Sequence, residues 1–582
     1  MNARLNPSAA APAAHAASAV ATAAEAFLCS LRRRGVDHFY IGSGTDTAPI
    51  VEAYARQGES GLDFPKPIVA VHENLAVGMA HGYTMVTGRP QAVMLHVSVG
   101  AANAVCGIMN AARSQVPMFF TAGRTPLYEH SRFGARDNTI HWGQEMFDQA
   151  GMMREFVKWD YELRDPQNLA DLVDRGLNIA MEAPRGPIYL TLPREVLAQP
   201  VSNVQPPAVQ QIPSEPAADP DSVERLAQAL LRAERPVIVC TASGADADTV
   251  PLLVELADRF GVAVAESKPR VVNFPSTHPL HAGYDMAAVF AQADALLFLE
   301  SDVPWLPGKT QPQDSAFVAH AANEPLFARY PVRSFRSDLS ITSSARWLLK
   351  ALLARLDALG AAEQAEARRA RALALAQPIQ QALIQRAEQD QRAGGPISKL
   401  FLSRCLDEVR AEHDVVVNEY SALREQMRFT QPHTFFLHPN AGGLGWGLPA
   451  ALGAKQARPE STVFAVVGDG AYLFANPAAC HQASAMHQLP IVTVVFNNGG
   501  WDAVQKSTFA MYQGTHSAEH AERHGFAPLS SLDPVPDFEL YAQASGGHGE
   551  RVTEREQLVP ALRRAIEATQ RGQQALINVI GK

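Results

Sequence analysis

Two short polar motifs each follow a Val-rich apolar run. Gly468-Asp469-Gly470 comes after TVFAVV and Asn497-Asn498 comes after PIVTVVF, with 26 residues between the two motifs. Such runs, separated by a helix-sized stretch, predict two buried parallel strands joined by a crossover. Because ligands of parallel sheets gather at the carboxyl ends of the strands, the Asp and Asn oxygens are expected to meet there. These oxygens suit an octahedral Mg²⁺ that also binds a diphosphate, and the glycines let the backbone approach the phosphates.

This pair of motifs resembles the signature of the thiamine-diphosphate-dependent enzymes. The stretch NAGGLGWGLPAALGAKQARPESTVFAVVGDG looks like the acetolactate synthase and benzoylformate decarboxylase branch of that family. The resemblance implies that Asp469, Asn498 and the carbonyl of Gly500 hold Mg²⁺. It also implies that Gly442 offers a carbonyl to the pyrimidine amine and that Leu444 wedges between the two rings of the cofactor. The remaining cofactor contacts that it implies, mostly to the diphosphate, are Gly468, Gly470, Ala471, Tyr420 and Ser421.

A second stretch, PKPIVAVHENLAVGMAHGYTMVTGRP, consists of an apolar strand, Glu73 and a helix of small residues. It is similar to the segment of the family that carries the catalytic glutamate, which hydrogen-bonds the pyrimidine ring and thereby activates the thiazolium carbon. In the family this glutamate comes from the amino-terminal domain of the partner subunit. The resemblance therefore implies a homodimer or homotetramer with active sites at the subunit interface.

The substrate side shows features of two branches. VMLHVSVGAANAV places His96 where benzoylformate decarboxylases have a proton-handling histidine, and IGSGTDTAP places Thr45 on their substrate-binding serine, with Asp46 beside it. In HWGQEMFDQAG, however, Gln144-Glu145 resembles the Gln-Glu pair of acetolactate synthases rather than an apolar pair. A buried Gln needs hydrogen-bond partners, so a smaller or more polar substrate than a phenyl compound is expected. The predicted catalytic residues are Glu73, His96, Gln144, Thr45 and Asp46, whereas His72, His81 and His141 are expected to be scaffold.

The middle of the chain departs from both branches. ESDVPWLPGKTQPQ lacks the histidine of benzoylformate decarboxylases and the Arg-Phe-Asp-Asp run of acetolactate synthases, which makes acetolactate specificity and FAD binding doubtful. The hypothesis is an enzyme that decarboxylates a 2-oxo acid and joins the remaining carbon to a second carbonyl. Alternatives are a simple 2-oxo acid decarboxylase, a 2-hydroxyacyl-CoA lyase and a non-catalytic relative that binds the cofactor as a scaffold. Retention of Glu73 argues against the last.

Composition excludes several other classes. The chain has 582 residues, 47% of them hydrophobic, a net charge of −9 and a pI near 6.1, so no nucleic-acid partner is expected. The five cysteines show no C-x-x-C spacing, which indicates neither zinc nor a disulfide framework and favours a reducing, cytoplasmic location. No apolar run reaches the ~18 residues of a membrane span.

Apolar runs alternate with helical patterns in three blocks, which predicts an α/β protein with three doubly wound parallel sheets. The expected order is a disordered Ala-rich leader over 1–22, a pyrimidine-binding domain over 23–199 and a Pro-rich linker over 200–222. A central domain over 223–360, a helical linker over 361–396 and a diphosphate- and Mg-binding domain over 397–582 follow.

Overall fold

The computed structural model describes residues 22–201 and 210–582. Except for Thr22, which caps the first helix, the predicted leader lies outside the described residues, as does part of the predicted linker. The described chain folds into three all-parallel sheets with helices on their faces, which confirms the predicted fold class. None of the helices in these two ranges is long and apolar enough to cross a membrane.

The amino-terminal sheet has six strands in the order β2-β1-β3-β4-β6-β5. Its strands are β1 (His38–Ile41), β2 (Lys66–Val69), β3 (Gln91–Leu95), β4 (Met118–Arg124), β5 (Asp160–Glu162) and β6 (Pro187–Pro193). Its helices are α1 (Ala23–Arg33), α2 (Ala48–Ser60), α3 (Glu73–Thr87), α4 (Val97–Arg113), α5 (Ile140–Gly143), α6 (Leu169–Met181) and α7 (Arg194–Leu197).

The central sheet has five strands in the order β11-β10-β9-β7-β8. The strands are β7 (Pro236–Cys240), β8 (Ala263–Glu266), β9 (Ala295–Leu299), β10 (Phe317–Ala322) and β11 (Leu339–Thr342). The helices are α8 (Pro220–Arg232), α9 (Thr249–Phe260), α10 (Met286–Phe290), α11 (Ala345–Ala358) and the long α12 (Ala365–Ala393). The inner face of α12 buries Leu375, Ala376 and Ile379 in the central core.

The carboxyl-terminal sheet has six strands in the order β13-β12-β14-β15-β17-β16. The strands are β12 (Val415–Glu419), β13 (Phe435–Leu437), β14 (Val463–Gly468), β15 (Val492–Asn497), β16 (His548–Val552) and β17 (Ala575–Ile580). The helices are α13 (Lys399–Val409), α14 (Gly447–Ala457), α15 (Asp469–Phe474), α16 (Pro477–Met486), α17 (Asp502–Met511), α18 (His516–His524), α19 (Glu539–Ala544) and α20 (Arg555–Gln570).

The first and third sheets have the same topology. When the strands of each are counted along its own segment, both orders read 2-1-3-4-6-5. The equivalent helices α3 and α14 pack against each other reciprocally: a side chain at Gly82 would overlap the Ala450 carbonyl, and one at Gly453 would overlap the Met79 carbonyl. Glycine therefore allows the two backbones to touch. One apolar core extends through both domains, so they form a continuous unit.

Candidate active site

Three oxygen-bearing groups converge where β14 and β15 end. Asp469 begins α15 directly after β14, whereas Asn498 and Gly500 follow β15. One heteroatom of the Asn498 carboxamide lies 3.1 Å from Asp469 Oδ2 and 3.0 Å from Gly500 O. Without a cation only the amide nitrogen could face both acceptors. With the oxygen there, the spacing matches that of neighbouring ligands of octahedral Mg²⁺, about 3.0 Å for bonds of about 2.1 Å.

Asp469 is the only carboxylate of this group. It is 3% exposed, and its Oδ2 accepts hydrogen bonds from the amides of Asn498 at 3.1 Å and Gly499 at 2.8 Å. Burial raises the pKa of Asp469 above its ordinary value, although these amides oppose the rise. A divalent cation would offset that desolvation. Within the described ranges no cluster of three His, Cys, Asp or Glu side chains could hold a metal, so this Asp, amide and carbonyl set is the candidate.

Ser421 provides a second sign of a ligand near this edge. The residue is fully buried, and its hydroxyl has no hydrogen-bond partner among the described residues. The hydroxyl faces Gly468, because a side-chain carbon there would lie 3.6 Å from Oγ. An unsatisfied buried hydroxyl costs about 1–3 kcal/mol, which a diphosphate oxygen would relieve. The residues present therefore fit both Mg²⁺ and a diphosphate.

Tyr420, Gly470 and Ala471 are the other residues of this domain predicted to contact the diphosphate. Tyr420 has a φ of 70° and is half-exposed, and its ring centroid lies 4.6 Å from that of His438. The Gly470 amide already donates to Asp469 Oδ1 at 2.7 Å. The buried Ala471 follows in the first turn of α15.

The loop that carries Gly442 and Leu444 is fixed by two residues that sequence reasoning missed. Asn110 of α4 donates to Gly443 O at 2.8 Å and accepts from Gly443 N at 3.2 Å. Glu419, at the end of β12, accepts from Gly445 N at 2.8 Å and Gly447 N at 2.7 Å. The sequence signal for Glu419 was a Glu at the end of an apolar strand. Burial raises the pKa of Glu419 to about 7 despite these amides.

On the amino-terminal side, the fold brings His96, Asp46 and Gln144 together. His96 follows β3, and its Nδ1 lies 2.5 Å from Asp46 Oδ1. Gln144 Nε2 lies 3.2 Å from His96 Nε2. The hydrogen bond to Asp46 raises the pKa of His96 above 6.5, although partial burial opposes the rise. Val97, the next residue, has a φ of 34°, an unusual conformation for a β-branched residue and typical of functional sites.

The loop IGSGTD is shaped to hold this pair. A side chain at Gly44 would overlap the His96 ring, and one at Gly123 would overlap the Asp46 carboxylate. Asp46 lies in a short 3-10 helix, Thr45–Thr47, and is 2% exposed. Thr45 is exposed at its start, and its carbonyl accepts from Arg194 at 3.4 Å.

Glu145, also missed as a functional residue, fixes the segment that carries Gln144. Its carboxylate accepts from Arg124 at 2.6 Å and Thr125 at 2.6 Å, and pairs with Arg136. The Gln144 carbonyl accepts from Ser98 Oγ at 2.7 Å, which ties the segment to α4. Gln144 therefore faces His96 from a braced loop.

The three histidines expected to be scaffold occupy packed positions. His72 caps α3 by accepting from Asn74 N at 3.2 Å. His81 is buried with its ring 5.5 Å from that of Trp446, and burial lowers its pKa to about 3. Burial also lowers the pKa of His141. The lowered pKa values of His81 and His141 favour their neutral forms near neutral pH.

Glu73 is the first residue of α3. Its Oε2 accepts from Asn103 Nδ2 at 3.1 Å and lies 3.9 Å from His72 Nε2. Among the described residues of one chain, no hydrogen bond or ion pair joins Glu73 to Asp469 or to the Gly442–Leu444 loop. The candidate residues therefore fall into two groups, called half-sites below: Glu73 and His96 in the amino-terminal domain, and the Asp469, Asn498 and Gly500 oxygens with the Gly442–Leu444 loop in the carboxyl-terminal domain.

Comparison with known protein families decides what these half-sites belong to. Residues 21–152 match the thiamine pyrophosphate enzyme N-terminal TPP binding domain, 223–351 match the central domain and 418–579 match the C-terminal TPP binding domain. The chain belongs to the thiamine pyrophosphate enzyme family. The predicted family is therefore confirmed, and thiamine diphosphate, the same compound, is the cofactor of this family.

Relatives cover nearly the whole chain. Benzoylformate decarboxylase of Pseudomonas aeruginosa is 28% identical over 92% of this chain and 95% of its own length. Sulfoacetaldehyde acetyltransferase of Rhodobacter capsulatus is 28% identical over 96% of this chain and 94% of its own length. The solved 4-hydroxybenzoylformate decarboxylase of Rhodococcus jostii has the same fold, with a TM-score of 0.75, 21% identity and coverage of 97% and 99%. This thiamine pyrophosphate enzyme thus shares its architecture with decarboxylases and with an acyl transferase.

Proposed function

We propose that this enzyme decarboxylates a 2-oxo acid and joins the remaining carbon to a second carbonyl compound, as acetolactate synthases do. The observation that carries the proposal is the polar contact between Gln144 Nε2 and His96 Nε2, which lie 3.2 Å apart. A pocket lined by the Gln144 carboxamide favours a small or polar acceptor over an aromatic ring, because a buried carboxamide must keep its hydrogen bonds.

Asp469, Asn498 and Gly500 would hold Mg²⁺, and Ser421 would contact the diphosphate. When bound, thiamine diphosphate accepts the electron pair released as CO₂ leaves the 2-oxo acid. Leu444 would set the shape of the bound cofactor, and Asn110 and Glu419 hold its loop in place. The protein's contribution here is orientation, which by itself accounts for a large part of a rate enhancement.

Asp46 keeps a proton on Nδ1 of His96 and leaves Nε2 as the nitrogen directed towards the substrate. Thr45 lies exposed beside this pair and would bind the substrate carboxylate. Glu73 would hydrogen-bond the pyrimidine ring and move its proton.

The two half-sites would be completed by a second copy of the chain. Large apolar side chains near both half-sites are exposed in a single copy: Val71 is 49% exposed, Val99 47% and Phe474 55%. These residues suit an obligate interface, which is larger and more apolar than a transient one. A homodimer or homotetramer would bring Glu73 of one copy to the metal-binding oxygens of the other.

Simple decarboxylation is the second candidate, because the His96 imidazole has a pKa raised by Asp46 and could donate a proton to the reacting carbon. All five cysteines are free thiols, which supports the cytoplasmic location predicted from the sequence.

The test is incubation of the protein, Mg²⁺ and thiamine diphosphate with a panel of 2-oxo acids, with and without aldehyde or 2-oxo acid acceptors. Products are identified by mass spectrometry. Acyloins or acetohydroxy acids support the proposal, aldehydes in all mixtures support the second candidate, and the absence of CO₂ release from every 2-oxo acid would contradict both.

A further inference from the structure

His96 has a single nitrogen with which it can reach a substrate. Its Nδ1 lies 2.5 Å from Asp46 Oδ1, and a carboxylate at that distance accepts a proton held on the ring. Asp46 is 2% exposed and is held in turn by the Val97 amide at 3.4 Å, so this side of the ring is permanently engaged. Proton transfer to a substrate therefore has to pass through Nε2.

Gln144 covers that remaining nitrogen. Its Nε2 lies 3.2 Å from His96 Nε2, so the neutral imidazole accepts a hydrogen bond from the carboxamide. The other end of the carboxamide, Gln144 Oε1, is buried without a hydrogen-bond partner among the described residues. When His96 gains a second proton, rotation of the carboxamide would turn this oxygen towards Nε2–H and satisfy both groups. Gln144 can thus cover Nε2 in either protonation state.

The segment that carries Gln144 is fixed by hydrogen bonds and ion pairs to neighbouring elements. The Gln144 carbonyl accepts from Ser98 Oγ at 2.7 Å, and Glu145 is bound to Arg124 and Arg136. The first tie joins the segment to the helix that begins directly after His96, and the second joins it to the end of β4. The backbone position of Gln144 is therefore fixed relative to the imidazole.

We propose that Gln144 withholds the His96 proton and so directs the reaction from aldehyde formation to carbon–carbon bond formation. This inference rests on the proposed function. The route to an aldehyde begins with protonation of the reacting carbon: the Nε2–H bond breaks, its electron pair stays on the imidazole, and the proton joins the electron pair left on that carbon. While Gln144 occupies Nε2, that transfer is blocked. The same electron pair then bonds to the acceptor carbonyl carbon, whose oxygen takes up a proton from water.

This chain combines features of two branches of the family. The His96 segment resembles benzoylformate decarboxylases, and the Gln144-Glu145 pair resembles acetolactate synthases. Their contact at 3.2 Å makes Gln144 a specificity-determining residue that acts through His96.

The first test is a double-mutant cycle that measures the ratio of aldehyde to acyloin from one 2-oxo acid donor and one aldehyde acceptor in the holoenzyme. Gln144→Met should raise the ratio by about fivefold or more, the factor that the loss of one hydrogen bond confers on a rate ratio. In the His96→Ala background the same substitution should leave the ratio within about twofold. An equal shift in both backgrounds would overturn the proposal, because Gln144 would then act without His96.

A further variant tests whether the contact with His96 Nε2 is needed or only a polar side chain at position 144. Gln144→Asn keeps the carboxamide but is one methylene too short to span to Nε2, so it should behave like Gln144→Met. If the Asn variant instead behaves like the unaltered enzyme, the pocket needs only a polar group and the proposal fails. Gln167→Met, an exposed position in the same domain, is the matched control and should leave the ratio unchanged.

The second test needs neither cofactor nor activity. In protein labelled with ¹⁵N-histidine, at a pH where His96 is neutral, NMR should show Nδ1 protonated and Nε2 unprotonated. Gln144→Met should shift the His96 Nε2 resonance, assigned by its loss in His96→Ala, and leave the tautomer unchanged. An Nε2 resonance that is identical in the two proteins would overturn the proposal, since the contact would not exist in solution.

The outcomes also separate this inference from the proposed function. If the unaltered enzyme releases no CO₂ from any 2-oxo acid, both fail. If it forms products while the cycle shows no coupling between Gln144 and His96, only the inference fails.

Discussion

The amino- and carboxyl-terminal domains have one topology and opposite chemistry. His96 and Asp469 follow equivalent central strands, β3 and β14. Glu73 begins α3, and the Gly442–Leu444 loop precedes the equivalent helix α14. In the first domain these positions hold the side chains proposed to exchange protons, whereas in the third they hold the carboxylate and backbone groups proposed to bind Mg²⁺ and the cofactor. The comparison teaches that the topology supplies a place for a ligand at the carboxyl ends of the strands. The residue types at those ends decide what is bound.

The two domains also treat buried charge differently. In the amino-terminal domain the Asp46 carboxylate has a hydrogen-bond partner within the protein, the His96 imidazole, whose Nδ1 lies 2.5 Å from Oδ1. In the carboxyl-terminal domain burial raises the pKa values of both Asp469 and Glu419, and no basic side chain forms an ion pair with Asp469 among the described residues. The buried carboxylate of the first half-site therefore has a side-chain partner, whereas a bound cation would stabilise that of the second.

The largest expected effect follows from that difference. Asp469→Ala should abolish retention of thiamine diphosphate, because the remaining amide and carbonyl oxygens cannot neutralise Mg²⁺ beside a diphosphate. Calorimetric titration with Mg²⁺ and thiamine diphosphate measures the loss. Asp537→Ala, which removes an exposed carboxylate of the same domain, is the control. Unchanged affinity in the Asp469 variant would refute the metal assignment.

In the amino-terminal domain, Glu73→Gln should bind the cofactor but lose most activity, since an amide cannot exchange the required proton. The decrease should be about 10²–10⁴-fold, as for other general acid–base groups. Hydrogen exchange at the thiazolium carbon, followed by NMR after acid quench, should slow accordingly. Exchange at the rate of the unaltered enzyme would remove Glu73 from the mechanism.

Mixing these two inactive variants tests whether the half-sites meet across subunits. A mixed dimer of the Glu73→Gln and Asp469→Ala chains holds one site with both native residues. Random exchange in an equal mixture should therefore restore about a quarter of the activity per site of the unaltered dimer. Light scattering should show a dimer or larger assembly. An active monomer, or no recovery after subunit exchange, would place both residues of each site in one chain.

A smaller effect concerns the pH dependence of aldehyde formation. His96 donates a proton only when protonated, so aldehyde formation should fall as pH rises through its pKa, which Asp46 raises above 6.5. Asp46→Asn removes the largest cause of that rise and should move the decrease in aldehyde formation to lower pH. The rate of aldehyde release measured between pH 5 and 9 checks this. A decrease at the same pH in both proteins would mean that another group supplies the proton.

The strands that the sequence did not predict are short or contain polar residues. The long apolar strands and their helices followed from Val-rich runs and helical spacing. β5 and β13 have three residues each, and the edge strand β16 has mostly half-buried residues, so none carries a strong apolar pattern. β10 and β11 contain His320 and Ser340, which interrupt the apolar signal. These strands form because a neighbouring strand offers hydrogen bonds.

Asp46, His96 and Gln144 were predicted one by one from local motifs, and the structure places them within hydrogen-bonding distance. Their roles, like those of the metal-binding residues, stay predictions. Asn110 and Glu419 were missed because each contacts a segment distant in the sequence, and Glu145 because it acts through several partners. No local pattern records such contacts.

The sequence alone determined the family and the three parallel sheets, because strand periodicity and short motifs are local properties. Its candidate site residues stay predictions. Only the tertiary structure decided that the first and third domains share one strand order, that Asn110 and Glu419 hold the Gly442–Leu444 loop, and that Gln144 covers His96. Gln144 lies 48 residues from His96 and Asn110 lies 333 residues from Gly443. Contacts at such separations depend on how the packed sheets bring chain segments together, and this information is distributed over the whole core rather than written in any motif.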